Sequence, residues 1–86
     1  MKNLLIITAD GEQILKSQEE MPTLEQVQKL VGGNVEAVRI PEKFGFEMYV
    51  NEEGLLEGLD LNIDASVIAG QQIVGDVVIF ENFKWE

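Results

Sequence analysis

Residues 60–64 carry the sharpest chemical pattern in this sequence. They read Asp-Leu-Asn-Ile-Asp, which matches the D-x-N-x-D opening of a calcium-binding loop. Two later positions do not fit, because Ala65 replaces the glycine of the sharp turn and Gln71 replaces the closing bidentate glutamate. We therefore favour a helix start capped by Asn62, with Asp60 and Asp64 near its positive N-terminal end. Weak divalent binding at Asp60–Asp64 is the alternative.

The inventory of side chains argues against catalysis. The sequence has no histidine and no cysteine, which removes the usual general base and the most reactive nucleophile. Glu52 and Glu53 could supply the paired acids of a glycosidase, but they lie in a predicted turn and should face water. Without cysteine, disulfides and thiolate zinc sites are excluded. We predict that the protein is not an enzyme and holds no cofactor or metal.

The charges are distributed unevenly along the chain. The net charge is −10, and the forty residues 44–83 contain eight carboxylates and neither lysine nor arginine. Such a charge opposes binding to nucleic acid and to anionic lipid, since both are polyanionic. We therefore expect no direct contact with DNA, RNA or membranes.

The acidic half has three open interpretations. It could be a solvated surface that keeps a small protein soluble, a docking face for a basic protein partner, or a mimic of DNA. Most of its acids fall in one turn-rich segment, which favours a local edge over a uniform face. The predicted partner-binding residues are Glu52, Glu53, Glu57, Asp60 and Asp64.

Length and hydropathy indicate one small globular domain spanning residues 1–86. The apolar run of residues 4–7 is too short for a signal-peptide core or a membrane span. We expect a soluble, cytoplasmic protein.

The hydrophobic patterns predict the order β-β-α-β-β-α-β, an α+β fold with a mixed sheet of four to five strands and two helices. Asp10-Gly11 predicts a hairpin turn, followed by a short edge strand in which Ile14 points inward. Residues 55–61 are predicted to be a loop that packs inward. The predicted strands are residues 2–8, 12–16, 35–40, 46–51 and 76–80.

Capping signals place the two helices. Thr23 and Gln26 form a capping box before an apolar stripe, and Gly32 ends that helix. Asn62 and Gly70 bracket a second, shorter helix in the same way.

Three of the six aromatic residues lie close together near the end of the sequence: Phe80, Phe83 and Trp85. Such side chains usually complete a core because they bury large areas. The alternative is an exposed patch, which would make a homodimer through Phe83 and Trp85 possible.

One family resemblance covers nearly the whole chain. The run N-E-E-G-L-L-E-G-L at residues 51–59, Asn62 and the run I-V-G-D-V-V-I at residues 73–79 resemble the family of the domain of unknown function 3846. The helix end at residues 30–33 also fits. Members commonly place proline before and arginine after the asparagine, where this sequence has Asp60 and Ile63. The resemblance implies a fold and an origin in phages, plasmids or other mobile elements, but no established activity.

These observations predict a non-enzymatic accessory protein of a phage or mobile element that acts through protein–protein contact at its acidic edge. Its partner would be a host or phage protein, and a host-directed or anti-defence role is one interpretation. A small-ligand-binding domain, with its pocket between residues 54–61 and the sheet, is the alternative, and a DNA mimic is the third.

Overall fold

Five strands form one sheet in the computed structural model, which describes residues 2–81 of the chain. The strand order across the sheet is β2-β1-β5-β4-β3, and each of the four neighbouring pairs is antiparallel. The strands are β1 (Lys2–Ile7), β2 (Gln13–Gln18), β3 (Val35–Arg39), β4 (Phe46–Asn51) and β5 (Val77–Glu81), and the helices are α1 (Leu24–Val31) and α2 (Ile63–Ala69).

The predicted α+β class and element order are confirmed, but the mixed sheet is wrong. A helix between two neighbouring strands usually makes them parallel, whereas β4 and β5 are antiparallel although α2 lies between them. The reason is that the segment after α2 returns to the residues just before α2. Leu61 forms an antiparallel bridge with Val74, and the Asn62 N–H donates to the Ile73 carbonyl over 2.8 Å. The strand β5 therefore starts at the end of the sheet where β4 finished.

Both faces of the sheet are buried, each under one helix. Successive side chains of a strand point to opposite faces, and Leu4 and Ile6 of β1 pack with α1 while Ile7 packs with α2. The alternation of β1 between two cores explains its nearly continuous apolar run. On the α1 side, the rings of Tyr49 and Phe80 stack with centroids 4.3 Å apart.

The predicted helix caps are confirmed. Thr23 Oγ1 accepts from the Gln26 N–H over 3.1 Å, and Asn62 Oδ1 accepts from the Ala65 N–H over 3.0 Å. Gly32 and Gly70 end their helices in the left-handed conformation, with φ of 83° and 71°. The side chain of Asn62 therefore caps a helix, as the favoured interpretation of residues 60–64 requires.

The strand β2 lies at the edge of the sheet, as predicted, but Ile14 does not point into a core. Its side chain is 45% exposed. The helix α1 packs mainly over β3, β4 and β5. Its hydrogen bonds with β2 are made by Gln18, at the other end of that strand from Ile14. Ile14 pairs with Ile6 and so lies on the face that α1 covers, but this face is not covered at the position of Ile14.

Asn62 and Asn51 are the buried polar residues within residues 2–81, and Asn62 is the more deeply buried of the two. It is 1% exposed, and its Nδ2 donates to the Ile7 carbonyl over 3.0 Å and to the Gly75 carbonyl over 2.8 Å. Together with its cap of α2, this amide joins the end of β1, the start of β5 and the first turn of a helix. A buried amide with all of these partners stabilises the fold because each partner would otherwise be left unsatisfied.

Substituting Asn62→Ala should lower the free energy of unfolding by about 3 kcal/mol, because it removes a cap and two further buried hydrogen bonds. Urea denaturation of the full chain measures this. Asn62→Asp is the matched control, since it keeps the cap acceptor and loses both Nδ2 donors. If capping alone mattered, the aspartate variant would match the wild type; we expect it to be destabilised as well.

Candidate interaction surface

Asn51 fixes the start of the loop that carries most of the predicted site, residues 52–61. Its side chain is buried, and Nδ2 donates to the Val31 carbonyl at the end of α1 and to Glu57 Oε1, each over 3.2 Å. Its Oδ1 accepts from the Glu53 N–H over 2.8 Å. One amide thus holds the 52–61 loop against the C-terminal end of α1.

Backbone hydrogen bonds close the loop on itself. The Glu57 N–H donates to the Glu53 carbonyl over 2.9 Å, and the Leu59 N–H donates to the Gly54 carbonyl over 3.0 Å. The Glu52 N–H donates to the Asn34 carbonyl between α1 and β3 over 2.8 Å. The 52–61 loop is therefore an ordered turn structure, and its exposed side chains project from a fixed backbone.

Two glycines allow this loop to pack against the chain that enters β5. A Cβ on Gly54 would lie 2.8 Å from Cγ2 of Val74, and one on Gly75 would lie 2.7 Å from Cδ1 of Leu59. Gly75 also has a φ of 81°, which favours glycine. Each of these glycines belongs to one of the runs that resemble the family, and each makes room for a side chain of the other run.

Leu55 and Leu56 project into solvent. Their side chains are 75% and 88% exposed, so the prediction that this loop packs inward is wrong for both. The loop contacts the domain through Gly54 and Leu59 instead, and the tight turn between them directs the two leucines outward. Two adjacent exposed leucines on a fixed loop form an apolar projection.

The five predicted partner-binding acids lie at the surface but do not line one depression. Glu52 and Glu53 line a cleft of about 380 Å³. Asp60 lines a second depression of about 360 Å³, and Asp64 lines a third of about 240 Å³. Glu57 is held by the side chain of Asn51.

The two aspartates differ in their surroundings from the glutamates. Asp60 shares its depression with Lys29 and Asp76, so a basic group is already present there. Asp64 is partly buried, and its Oδ2 accepts from Gln13 Nε2 of β2 over 3.3 Å. Within residues 2–81 no group of three or more His, Cys, Asp or Glu side chains is placed to hold a metal ion. The cleft with Glu52 and Glu53 is therefore the best-defined part of the predicted site.

This cleft lies between the 52–61 loop and the outer part of the sheet. Its walls combine carboxylates with apolar side chains of the loop and of two strands. The segment of residues 71–74 after α2 forms a further wall. The lining includes Glu36, Val38, Glu52, Glu53, Leu55, Leu56, Gln71 and Gln72. Sequence reasoning missed Glu36 and the two leucines; a Leu-Leu pair enclosed by Gly54 and Gly58 was the available signal for the latter.

The buried Asn51 and Asn62 and the closely packed Gly54 and Gly75 all belong to the motif on which the family resemblance rests. A family model described as Domain of unknown function (DUF3846) matches residues 1–84. The chain belongs to this family. Searches among curated proteins and among solved structures found no match. Membership in DUF3846 therefore accounts for the motif without assigning an activity to it.

Two further expectations concern other parts of the chain. Neither helix within residues 2–81 has the length and apolar character that crossing a bilayer requires. The predicted dimer contacts Phe83 and Trp85, and the predicted continuation of the last strand toward Trp85, lie outside the described residues.

The contact between the loop and the chain before β5 can be tested by exchanging side-chain volume. Gly54→Ala should lower the free energy of unfolding by about 1–3 kcal/mol, because its Cβ overlaps Cγ2 of Val74. Val74→Ala removes that methyl group. The double variant should therefore lose less free energy of unfolding than the sum of the two single losses. Urea denaturation of the four proteins gives the coupling energy. Strict additivity would show that these two positions do not touch.

Proposed function

We propose that this DUF3846 protein is a non-enzymatic binding module that docks a protein partner through the 52–61 loop and its acidic rim. The observation that carries the proposal is the exposed pair Leu55 and Leu56 on a loop held by Asn51. A single exposed leucine needs no explanation. Two neighbours raised on an ordered loop, beside a cleft, form a small apolar anchor.

Order in the unbound loop favours association. A loop that is already held in one conformation loses little entropy when a partner covers it. Here the hydrogen bonds of Asn51 and the close approach of Gly54 to Val74 supply that order. The leucines would enter an apolar pocket of the partner, and the surrounding backbone would not have to rearrange.

The charges around the leucines select the kind of partner. Glu36, Glu52 and Glu53 line the cleft beside them, and all three are exposed. Such a rim fits a partner with lysine or arginine around an apolar pocket, and it would steer the encounter at low salt. Because the chain has a net charge of −10, its electrostatic field attracts a basic partner and repels an acidic one.

The setting of this function is also part of the proposal. We place the protein in the cytoplasm of a bacterium that carries a phage or plasmid, since the family resemblance points to mobile elements. The partner would then be a host or phage protein, and the binding could redirect or block a host process. This chain supports such a role through its binding surface, without the residues of a hydrolase or transferase site.

A small-ligand-binding function is the second candidate, because the cleft of about 380 Å³ lies where that alternative expected a pocket. Its composition favours a macromolecule instead. Leu55 and Leu56 point largely into solvent, and Glu52 and Glu53 are exposed carboxylates. The two glutamines at residues 71–72 add amides to the cleft, but these are exposed as well, whereas a protein surface could cover the leucines and the rim together.

Reversing the acidic rim tests the electrostatic half of the proposal. The double variant E52K/E53K should weaken capture of the partner by about tenfold or more, because its lysines face a basic rim. The matched control is E19K/E20K, another adjacent pair of exposed glutamates with the same change in net charge. A tagged pull-down from lysate of the source bacterium, quantified at low and high salt, measures both. If both variants lost capture equally, the cause would be the change in net charge, and the position of Glu52 and Glu53 would have no special role.

The apolar half has a separate test. L55S/L56S should abolish capture at all salt concentrations while leaving the thermal unfolding midpoint close to that of the wild type, because both side chains are exposed. Phe44→Ser is the control, since this exposed aromatic residue lies outside the proposed surface. Retained capture by L55S/L56S would remove the 52–61 loop as the docking element and favour the ligand-binding alternative.

A further inference from the structure

Within residues 2–81, no strand pairs with the outer edge of β2. The Thr8 N–H donates to the Glu12 carbonyl over 2.9 Å, so Thr8 and Glu12 form a hydrogen-bonded pair at the start of the β1–β2 ladder. Such pairs alternate along antiparallel strands. The N–H and C=O groups of Gln13, Leu15 and Ser17 therefore point away from β1, toward the free side of this edge.

The side chains along this edge are exposed and include one matched pair of charges. Ile14 lies between Glu12 and Lys16, two residues from each, so all three point to the same face of the sheet. Within residues 13–18 there is no carboxylate, although the chain as a whole carries a net charge of −10. The strand itself therefore adds no contact between carboxylates when two copies meet, and the long-range repulsion between their net charges is screened by salt.

Among the registers that a two-fold axis allows, one pairs both charges. A two-fold axis perpendicular to the sheet keeps each face on its own side, so a residue can only pair with one of the same face. With Ile14 on the axis, Glu12 of each copy stands opposite Lys16 of the other, and Ile14 meets Ile14. With Lys16 on the axis, two lysines would face each other, which destabilises a sheet.

This register also matches the free hydrogen-bonding groups. It places Gln13 opposite Leu15 of the second copy, and both residues have their backbone groups directed outward. Leu15 is 71% exposed in the single chain and would be covered in part by the added strand. A lysine on an edge strand often prevents such pairing, but here each lysine would meet a glutamate.

The other edge of the sheet lacks this property. Its strand, β3, carries Glu36 and Arg39, which are three residues apart and so lie on opposite faces. No antiparallel register about a two-fold axis can therefore place one opposite the other. Pro41 follows this strand closely and has no N–H to donate.

We propose that two copies of the chain associate through β2 to form a continuous ten-stranded sheet, with Ile14 on the two-fold axis and Glu12 paired with Lys16 twice. The partner on this surface is a second copy of the same chain. The dimer surface is separate from the 52–61 loop, so its test and that of the proposed function can fail independently.

Sedimentation equilibrium of the full chain over a wide concentration range tests the dimer. The wild type should dimerise, and E12K and K16E should each weaken dimerisation by about tenfold or more, because each substitution places like charges opposite each other twice. The double variant E12K/K16E exchanges the two charges without altering the net charge and should restore the affinity. Thermal unfolding of every variant checks that the fold is retained.

Mixing the two single variants gives the decisive result. In a mixture of E12K and K16E, one copy presents lysine at both positions and the other presents glutamate, so a mixed dimer should form where neither variant dimerises alone. A wild type that stays monomeric up to its solubility limit would overturn the proposal. A dimer that is equally strong in all of these variants would overturn it too, because its contact would lie elsewhere.

Discussion

The side-chain amide of Asn62 is the interaction on which the architecture depends. It caps α2 and donates to the carbonyls of Ile7 and Gly75, so it connects one strand end, one strand start and one helix. These partners all lie at the end of the sheet where β4 finishes, and the bridge between Leu61 and Val74 returns the chain to that end. Because residues 61–74 form a closed loop around α2, β5 starts at that end and runs antiparallel to β4. The helix α2 then covers one face of the sheet while α1 covers the other. A buried amide is suited to the task because it can satisfy two acceptors and one donor at once.

Local signals in the sequence were sufficient for the elements and insufficient for their packing. Thr23, Gly32, Asn62 and Gly70 mark helix ends through backbone chemistry that needs only neighbouring residues, and the structure has those ends. The direction of β5 could not be predicted in this way, because it depends on hydrogen bonds of Asn62 to residues far apart in sequence. Ile14 shows the same limit, since its face of the sheet is right but the helix on that face covers other strands.

The candidate site shows how charge and shape carry different information. Composition located an acidic segment, and the structure places Glu52 and Glu53 beside one cleft while Asp60 and Asp64 line two others. The feature that makes the cleft distinctive is apolar, because Leu55 and Leu56 project from a loop that Asn51 holds in place. Hydrophobicity alone predicted burial for these leucines. Their exposure results from the turn between Gly54 and Leu59, a long-range packing outcome that no short motif contains.

The position of β5 in the sheet has a consequence for how this protein is made. Before β5 emerges from a ribosome, the preceding chain can form only two separate hairpins, β1 with β2 and β3 with β4. The fifth strand then inserts between them and pairs with one member of each. Folding must therefore wait for contacts between residues that are distant along the chain, which slows it and leaves strand edges open in the meantime. Neither hairpin can cover its own apolar surface, so each should gain stability only when β5 joins them.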